Sequence, residues 1–274
     1  LHEDPHPCRR SFVRQRIGHA CPTAHTRFMT TGRQCFFDPA LHIRVVACTY
    51  AERAVYIPAV DLLVCADLHL GRGDGPGYHL PLGDPEPMVR ALDRLLARFA
   101  PAEVIVAGDI VDRFGPPDAA TRTMLETIRS RCARAGARLQ LVAGNHDRGF
   151  AAVADPPLPT ELARGTDQQV VICHGDSLPT MEGDLIVYGH DHPTLTVEGA
   201  RYPCILEGHT AAGTTLCQLP SFSPAVTGVR VGPDRAGLRS PLSQAATWLR
   251  PIVTDPESGR THRFPPLSSL AGHL

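Results

Sequence analysis

The sequence predicts an α/β fold in which a second, partly antiparallel β-sheet packs on a first, parallel β-sheet. The first half of the chain alternates buried strands with amphipathic helices, and this order implies right-handed crossovers and a parallel sheet. The second half contains short strand patterns separated by turns, which favours a second sheet against the first. Of the 274 residues, 43% are hydrophobic and 20% are charged, a composition that allows a sizeable core.

The first half predicts four strands and two helices. Short, nearly continuous apolar runs predict buried strands, whereas apolar residues at helical spacing predict helices. The first helix starts at Asp84 and Pro85 and stops at Pro101, and Gly136 ends the second helix. In chain order the elements are strands 54–57 and 61–66, a helix from 84, strand 103–107, helix 117–135 and strand 138–142.

The second half predicts six short strands and one helix near 243–249. No linker divides residues 36–274, so they are predicted to form one domain with a C-terminal extension from Pro233. Residues 1–35 lack helical or strand periodicity and are predicted to be disordered or an artefact of the start site. The six strands are 169–173, 185–188, 194–198, 203–207, 214–219 and 226–231.

Composition narrows the classes of partner. A formal net charge of −1 gives no overall field that would recruit nucleic acid or an anionic membrane. The nine cysteines are odd in number and include no Cys-x-x-Cys, which favours reduced thiols in a cytoplasmic protein. No apolar run approaches the roughly 18 residues that span a bilayer, so no membrane partner is expected. The sequence makes no prediction about oligomeric state.

Polar residues with metal-ligand chemistry follow five of the predicted strands. Ligands in open α/β sheets bind at the carboxyl ends of the strands, so these clusters are expected to converge. Carboxylate, amide and imidazole groups without cysteine suit a divalent metal rather than a structural thiolate site. The clusters are Asp67-Leu-His69, Gly108-Asp109-Ile-Val-Asp112, Gly144-Asn145-His146-Asp147, His174-Gly175 and Gly189-His190-Asp191-His192.

These clusters predict a centre for two divalent metal ions, provided that one carboxylate bridges the ions. Two such ions keep an excess of positive charge over the two aspartates, which suits a phosphate. His190 and His192 lie two residues apart and so face the same side, whereas Asp191 points away. Manganese is the preferred metal, with iron, zinc or nickel as alternatives. One ion would take Asp67, His69, Asp109 and His192, and the other Asp109, Asn145, His174 and His190.

The five motifs, in this order and at comparable spacing, resemble those of the calcineurin-like metallophosphoesterases. The likeness covers roughly residues 55–192 and is specific as a five-part set. It implies the ligand sets above, with Asp109 as the bridge and His146 beside the scissile phosphate. It also implies a four-layer αββα sandwich, with two mixed β-sheets flanked by helices and the dimetal site at the strand C-terminal ends.

Further stretches are similar to the ICC-like phosphoesterases, a group that includes archaeal members and the DNA-ligase-associated branch. This finer resemblance implies nucleic acid as one candidate partner. No basic or aromatic groove in the sequence indicates nucleic acid independently. The stretches are 66–71, 80–83, 101–104, 189–193, 203–204, 219–220 and 264–267.

The resemblance and the motifs predict phosphodiester hydrolysis, on a cyclic nucleotide or a nucleic-acid end. The expected reaction is attack by metal-bound hydroxide on the phosphorus, with His146 as general acid for the leaving oxygen. His146 follows the ligand Asn145 but is not needed for coordination, which suits that role. Asp112 or Asp147 is predicted to hold the other ring nitrogen of His146 and set its tautomer.

Two other functions remain open. A phosphomonoesterase or protein-phosphatase-like activity is suggested by 108–113, although Phe114 stands where protein serine/threonine phosphatases have glycine. A catalytically idle scaffold would have lost His146 or several ligands, and here all are present. Three arginines follow the first three motifs and are either phosphate-binding or solvated loop residues. They are Arg72, Arg113 and Arg148.

Overall fold

A computed structural model describes residues 37–38, 43–44, 46–75, 78–79, 85–255 and 258–270. The predicted disorder or start-site artefact at 1–35 lies outside these residues. Within the described ranges, no helix has the length and apolar character needed to cross a membrane.

The described residues form mainly short strands, with two longer helices. The helices are α1 (Glu86–Phe99), α2 (Ala119–Arg134), α3 (Arg148–Ala151) and α4 (Pro241–Ala245), and 3₁₀ turns occupy Pro58–Val60 and Leu267–Ser269. The strands of the first half are β1 (Phe37–Asp38), β2 (Ile43–Arg44), β3 (Thr49–Ala51), β4 (Ala54–Ile57), β5 (Leu62–Cys65), β6 (Asp74–Gly75), β7 (Tyr78–His79), β8 (Glu103–Ala107) and β9 (Arg138–Val142). Those of the second half are β10 (Glu161–Arg164), β11 (Val170–Cys173), β12 (Leu185–Tyr188), β13 (Pro193–Val197), β14 (Ala200–Pro203), β15 (Ile205–Thr210), β16 (Thr215–Gln218), β17 (Val229–Arg230), β18 (Ala246–Thr254) and β19 (Thr261–Arg263).

The first large sheet has the order β3-β4-β5-β8-β9. Strands β5, β8 and β9 are parallel, as their alternation with α1 and α2 predicted, and β3 and β4 add antiparallel strands at one edge. The apolar face of α1, including Leu92 and Leu95, belongs to a core cluster with Val104 and Val106 of β8. Asp118 caps α2 by accepting a hydrogen bond from Thr121 N at 2.8 Å.

The second large sheet has the order β10-β11-β12-β16-β15-β18-β19 and is also mixed. Strands β11, β12 and β16 are parallel, and the remaining pairs are antiparallel. Its inner face packs on the first sheet, where Val64 and Ile105 share one buried cluster with Ile172 and Val187. The predicted sandwich of two mixed sheets is therefore confirmed.

The outer layer of the second sheet is less helical than the outer layer of the first. A buried cluster joins residues of this sheet to Leu195 of β13, Leu242 of α4 and Leu267 of the last 3₁₀ turn. A small sheet of order β14-β13-β17 contributes to this layer. The outer face is thus covered by a short helix, a turn and a small sheet, whereas two long helices cover the opposite face.

The helix predicted near 243–249 is wrong over most of its length. Helix α4 ends at Ala245, and the following nine residues form β18, between β15 and β19. The local run of serine, glutamine and alanine is compatible with a helix. Pairing with two strands distant in sequence overrides that local preference, because Leu249 and Ile252 become fully buried in the sheet.

Glu103 of β8 forms one ion pair with the second sheet and one within its own sheet. Its carboxylate accepts hydrogen bonds from Arg164 of β10 at 2.6 and 2.9 Å, and from Arg138 of β9 at 2.9 Å. Burial raises the pKa of Glu103, but these arginines outweigh burial and hold that pKa below its ordinary value. The stabilisation is therefore present above the ordinary glutamate pKa and is lost as the pH falls through the lower, folded-state pKa.

We expect Glu103→Gln to lower the free energy of unfolding at pH 7 by about 1–3 kcal/mol, because a buried charge-assisted contact is lost. Urea denaturation at several pH values measures the effect. The difference from the wild type should shrink as the pH falls below the ordinary glutamate pKa. Glu86→Gln is the matched control, since its i,i+4 ion pair with Arg90 is mostly exposed. A difference that persists unchanged at acid pH would contradict this account.

Candidate metal centre

The five motif clusters lie at strand ends that the structure brings together. Strands β5, β8 and β9 of the first sheet and β11 and β12 of the second each lead into one cluster. Backbone hydrogen bonds join neighbouring clusters: Asp67 N donates to Gly108 O at 3.1 Å, and His69 N donates to Asp109 O at 2.9 Å. Gly189 N likewise donates to His174 O at 2.9 Å. The predicted convergence on one rim is therefore present.

Five of the seven predicted metal ligands have left-handed backbone. Only ten non-glycine residues of the described chain have positive φ, so half of them lie in this centre. Each such residue costs roughly 1–2 kcal/mol, and the surrounding contacts must hold it. This concentration of strained backbone indicates that the surrounding fold fixes the direction of these side chains. The five are Asp67, His69, Asp109, His190 and His192, with φ between 45° and 79°.

The first predicted ligand set is assembled around His192. Asp67, His69, Asp109 and His192 each offer one ligand atom, and these atoms all lie within 4.8 Å of one another. His192 Nε2 lies 3.2 Å from His69 Nε2 and 3.5 Å from Asp67 Oδ2. Two imidazole nitrogens that face each other and a buried carboxylate form a donor set suited to a divalent cation.

The second predicted ligand set is assembled around His174. His174 Nε2 lies 2.9 Å from Asn145 Oδ1, 3.1 Å from His190 Nδ1 and 3.4 Å from Asp109 Oδ1. The other oxygen of Asp109, Oδ2, lies 3.7 Å from His69 Nε2 in the first set. The two oxygens of Asp109 thus face different ligand sets, which is the geometry a bridging carboxylate requires.

Three motif glycines provide the space for these ligands. A Cβ on Gly108 would lie 2.2 Å from His174 Nδ1, and a Cβ on Gly144 would lie 2.3 Å from Asp109 Oδ1. A Cβ on Gly189 would lie 2.4 Å from Asp67 Oδ2. Only a residue without a side chain allows these close approaches. The cluster therefore fits the two-metal arrangement predicted from its motifs.

We expect Gly189→Ala to weaken Mn²⁺ binding by about 10–100-fold, the usual effect of disturbing the support of a metal ligand. The added methyl group would displace the carboxylate of Asp67. Gly189 is not among the glycines with positive φ, so the expected effect is steric and does not come from backbone strain. Isothermal titration calorimetry measures the affinity. Gly232→Ala is the matched control, because its Cβ would meet only Asp234 Oδ1, at 3.5 Å. Equal Mn²⁺ affinity in the two variants would contradict the steric role.

Burial and neighbouring charges set the ionisation of the ligands. Burial raises the pKa of Asp67, but contacts with His192, His174 and His69 outweigh burial and hold it below its ordinary value. Burial dominates at Asp109 and raises its pKa. Burial and the neighbouring His174 lower the pKa of His190, which favours the neutral imidazole that a metal requires.

His146 lies beside the two ligand sets without belonging to either. Its Nε2 lies 3.9 Å from Asp109 Oδ2, and its side chain is 27% exposed. Its Nδ1 lies 2.8 Å from the peptide oxygen of Asp112. A carbonyl oxygen only accepts, so Nδ1 carries a proton and Nε2 is directed toward the centre.

Of the two aspartates predicted to hold the other ring nitrogen of His146, Asp112 does so, through its peptide oxygen, while both carboxylates have other partners. The Asp112 carboxylate lies 3.1 Å from His69 Nδ1 and 3.2 Å from the Arg72 guanidinium, so it orients a predicted ligand instead. The Asp147 carboxylate is fully buried. It accepts hydrogen bonds from the backbone N–H groups of Ile110, Val111 and Gly144 at 3.1, 3.0 and 2.8 Å, and so fixes the loops that carry Asp109 and His146.

A buried polar network lies behind His190 and His192, and the sequence did not predict it. Asp191 points away from these two histidines, as expected. The Asp191 carboxylate accepts hydrogen bonds from Gln218 Nε2 at 2.8 Å and from the backbone N–H groups of Arg239 and Ser240 at 2.8 and 3.2 Å. Gln218 also donates to Gly189 O at 3.1 Å. These partners lie 27 to 49 residues away from Asp191, so no local pattern could have indicated them.

Comparison with protein families agrees with this geometry. Residues 60–190 match the family model of the calcineurin-like phosphoesterases. These residues are therefore similar to a calcineurin-like phosphoesterase domain. Six of the seven predicted ligands lie inside the matched range of the calcineurin-like domain, and His192 lies two residues beyond it.

Two solved structures resemble a larger part of the chain than the family model matches. The crystal structure of the Pseudomonas putida nuclease MPE covers 84% of this chain and 99% of its own, with a TM-score of 0.56 and 22% identity. The E. coli phosphoesterase Yfce covers 75% of this chain and 98% of its own, with a TM-score of 0.39 and 17% identity. The likeness to the nuclease is one of fold. Comparison with curated proteins found no significant match.

Proposed function

We propose that this chain is a dimetal-dependent phosphoesterase that hydrolyses phosphodiesters, on a cyclic nucleotide or a nucleic-acid end. The observation that carries the proposal is the position of Asp109, whose two oxygens face two separate ligand sets. Similarity to the calcineurin-like domain supports phosphoester hydrolysis as the reaction class. His146, outside both ligand sets and 3.9 Å from Asp109 Oδ2, has the position of a general acid.

Two divalent ions, when bound, supply Lewis acidity and lower the pKa of bound water, which suits in-line displacement at phosphorus. The residues of the two ligand sets would hold these ions. Asp112 keeps His69 in the tautomer whose Nε2 faces Asp109. The peptide oxygen of Asp112 accepts a hydrogen bond from Nδ1–H and orients His146, so that the imidazolium form of His146 can donate its Nε2 proton to the leaving oxygen and become the neutral imidazole.

The metal, the branch and the cellular location are further parts of the proposal. Manganese is the preferred ion, with iron, zinc or nickel as alternatives, because nitrogen and oxygen donors accept each of them. The ICC-like and DNA-ligase-associated branch is proposed on the short stretches quoted above, and nucleic acid enters as a partner on that ground. The described cysteines are all free thiols, which is compatible with a cytoplasmic protein.

The test is hydrolysis of bis-p-nitrophenyl phosphate and of p-nitrophenyl phosphate by protein that has been freed of metal and then supplied with Mn²⁺. We expect turnover only with metal, and faster turnover of the diester. Preference for the monoester would favour a phosphomonoesterase. A protein that binds no metal and hydrolyses neither compound would contradict the proposal. That result would favour a scaffold that retains the fold.

A further inference from the structure

Phe114 is an exposed aromatic ring beside the proposed general acid. Its side chain is 66% exposed, the largest value among the exposed large apolar side chains of the described residues. The ring stacks on the His146 imidazole with centroids 4.4 Å apart and an interplanar angle of 22°. Because most of this ring is in contact with solvent, it forgoes much of the stabilisation that burial of a phenylalanine gives. An aromatic ring that is exposed beside His146 is available to bind a ligand.

The loop that carries Phe114 is held in place rather than left loose. It packs against α3, where a Cβ on Gly149 would lie 2.7 Å from the peptide oxygen of Phe114 and 2.6 Å from Gly115 C. Helix α3 follows His146 by two residues. The aromatic ring and the proposed general acid are therefore positioned by the same pair of adjoining segments.

Phe114 lies on the side of the centre where the leaving group must lie. If His146 Nε2 protonates the leaving oxygen, the group bonded to that oxygen lies beside His146, and the Phe114 ring is stacked on that same imidazole. An aromatic ring bonded directly to the leaving oxygen would lie against His146. Phe114 is one stacking distance away from His146, so its position suits an aromatic ring that a sugar separates from the leaving oxygen.

Two exposed arginines lie in the two adjoining segments that position this ring. Arg113 precedes Phe114, and Arg148 is the first residue of α3. Within the described ranges, neither arginine forms an ion pair, whereas Arg72 is engaged by Asp112. Guanidinium groups bind phosphate oxygens in a bidentate manner, so these two can serve phosphates that flank the reacting one.

We propose that Phe114 is a stacking platform for the nucleobase on the leaving side of the scissile phosphate, so that the substrate is a nucleoside phosphodiester. This inference rests on the proposed phosphodiesterase function. Stacking of a base on an exposed aromatic ring contributes about 1–3 kcal/mol and tolerates any base, since every base has a π face. The expected specificity is thus for the presence of a base rather than for its identity.

The test compares thymidylyl-thymidine with the analogue in which 1,2-dideoxyribose, a tetrahydrofuran without a base, replaces the leaving nucleoside. Phe114→Ala should raise KM for the intact dinucleotide about 5- to 150-fold and leave KM for the abasic compound unchanged. Phe114→Trp should restore the wild-type KM, and Tyr202→Ala, at the other exposed aromatic ring of the described residues, should not change it. An equal effect of Phe114→Ala on both compounds, or an effect on kcat alone, would overturn the proposal and assign Phe114 to positioning His146.

A binding measurement separates this inference from the proposed function. Calorimetry of the Mn²⁺-supplied protein compares thymidine 5′-phosphate with deoxyribose 5-phosphate, and neither ligand requires turnover. We expect tighter binding of the nucleotide and loss of that preference in Phe114→Ala. If the wild type hydrolyses neither dinucleotide, the proposed function fails, while a retained nucleotide preference still supports the platform. Equal affinity for the two ligands would overturn the platform even if hydrolysis is observed.

Discussion

Replacement of His146 by alanine is expected to lower kcat for an alkyl phosphodiester by about 10²–10⁴-fold, the usual contribution of general acid–base catalysis. His146 belongs to neither ligand set, and its Nδ1 contact with the Asp112 peptide oxygen leaves Nε2 free for the leaving oxygen. Metal content should therefore remain that of the wild type. Steady-state kinetics with thymidylyl-thymidine and metal analysis of the purified variant measure the two quantities.

The leaving group provides an internal control for the role of His146. p-Nitrophenolate leaves without a proton, so the loss of activity in His146→Ala should be much smaller with bis-p-nitrophenyl phosphate than with the dinucleotide. A loss of equal size on both substrates would indicate a role in positioning. Unchanged turnover of the dinucleotide would exclude His146 as the general acid.

Replacement of Asp109 by asparagine is expected to lower kcat/KM by about 10³-fold, which corresponds to the several kcal/mol that metal ions supply to the transition state. Asparagine preserves the volume and one oxygen, but removes the negative charge and the second acceptor. Because Oδ1 and Oδ2 face different ligand sets, the variant should bind one Mn²⁺ ion in place of two. Calorimetric titration with Mn²⁺ measures the stoichiometry.

Asp112→Asn is the matched control for the bridging role. Its carboxylate contacts the outer ring nitrogen of His69, Nδ1, and the guanidinium of Arg72, but Asp112 is not itself a member of either ligand set. We expect its Mn²⁺ affinity to fall about 10–100-fold while the stoichiometry remains two. An Asp109→Asn protein that still binds two ions with wild-type affinity would show that Asp109 does not bridge.

The fold could be predicted from the sequence where local pattern and tertiary environment agree. Strands β8 and β9 have the predicted bounds because β8 is almost wholly apolar and β9 ends in buried apolar residues, and both pair in a parallel sheet. Their carboxyl ends lie at one edge, so clusters that are distant in sequence were expected to meet there. Strand β18 was missed because its pairing with β15 joins residues about 40 positions apart, which no local window contains.

In the candidate centre, too, the local sequence predicted some features and tertiary contacts decided the others. Motifs predicted which side chains gather, because each ligand stands immediately after a strand. Motifs did not predict what holds those side chains, since the two carboxylates of Asp112 and Asp147 have similar sequence settings. Asp112 is half-exposed and contacts His69, whereas Asp147 is fully buried and binds backbone N–H groups. Burial and direction, which depend on the assembled sheets, decide between such roles.

The most direct test of the two-metal centre is the anomalous diffraction of crystals grown with Mn²⁺. We expect two anomalous peaks about 3.5–4 Å apart. One should lie within ligand distance of Asp67, His69 and His192, the other within ligand distance of Asn145, His174 and His190, and Asp109 should contact both. A single peak, or two peaks that Asp109 does not bridge, would contradict the two-metal account.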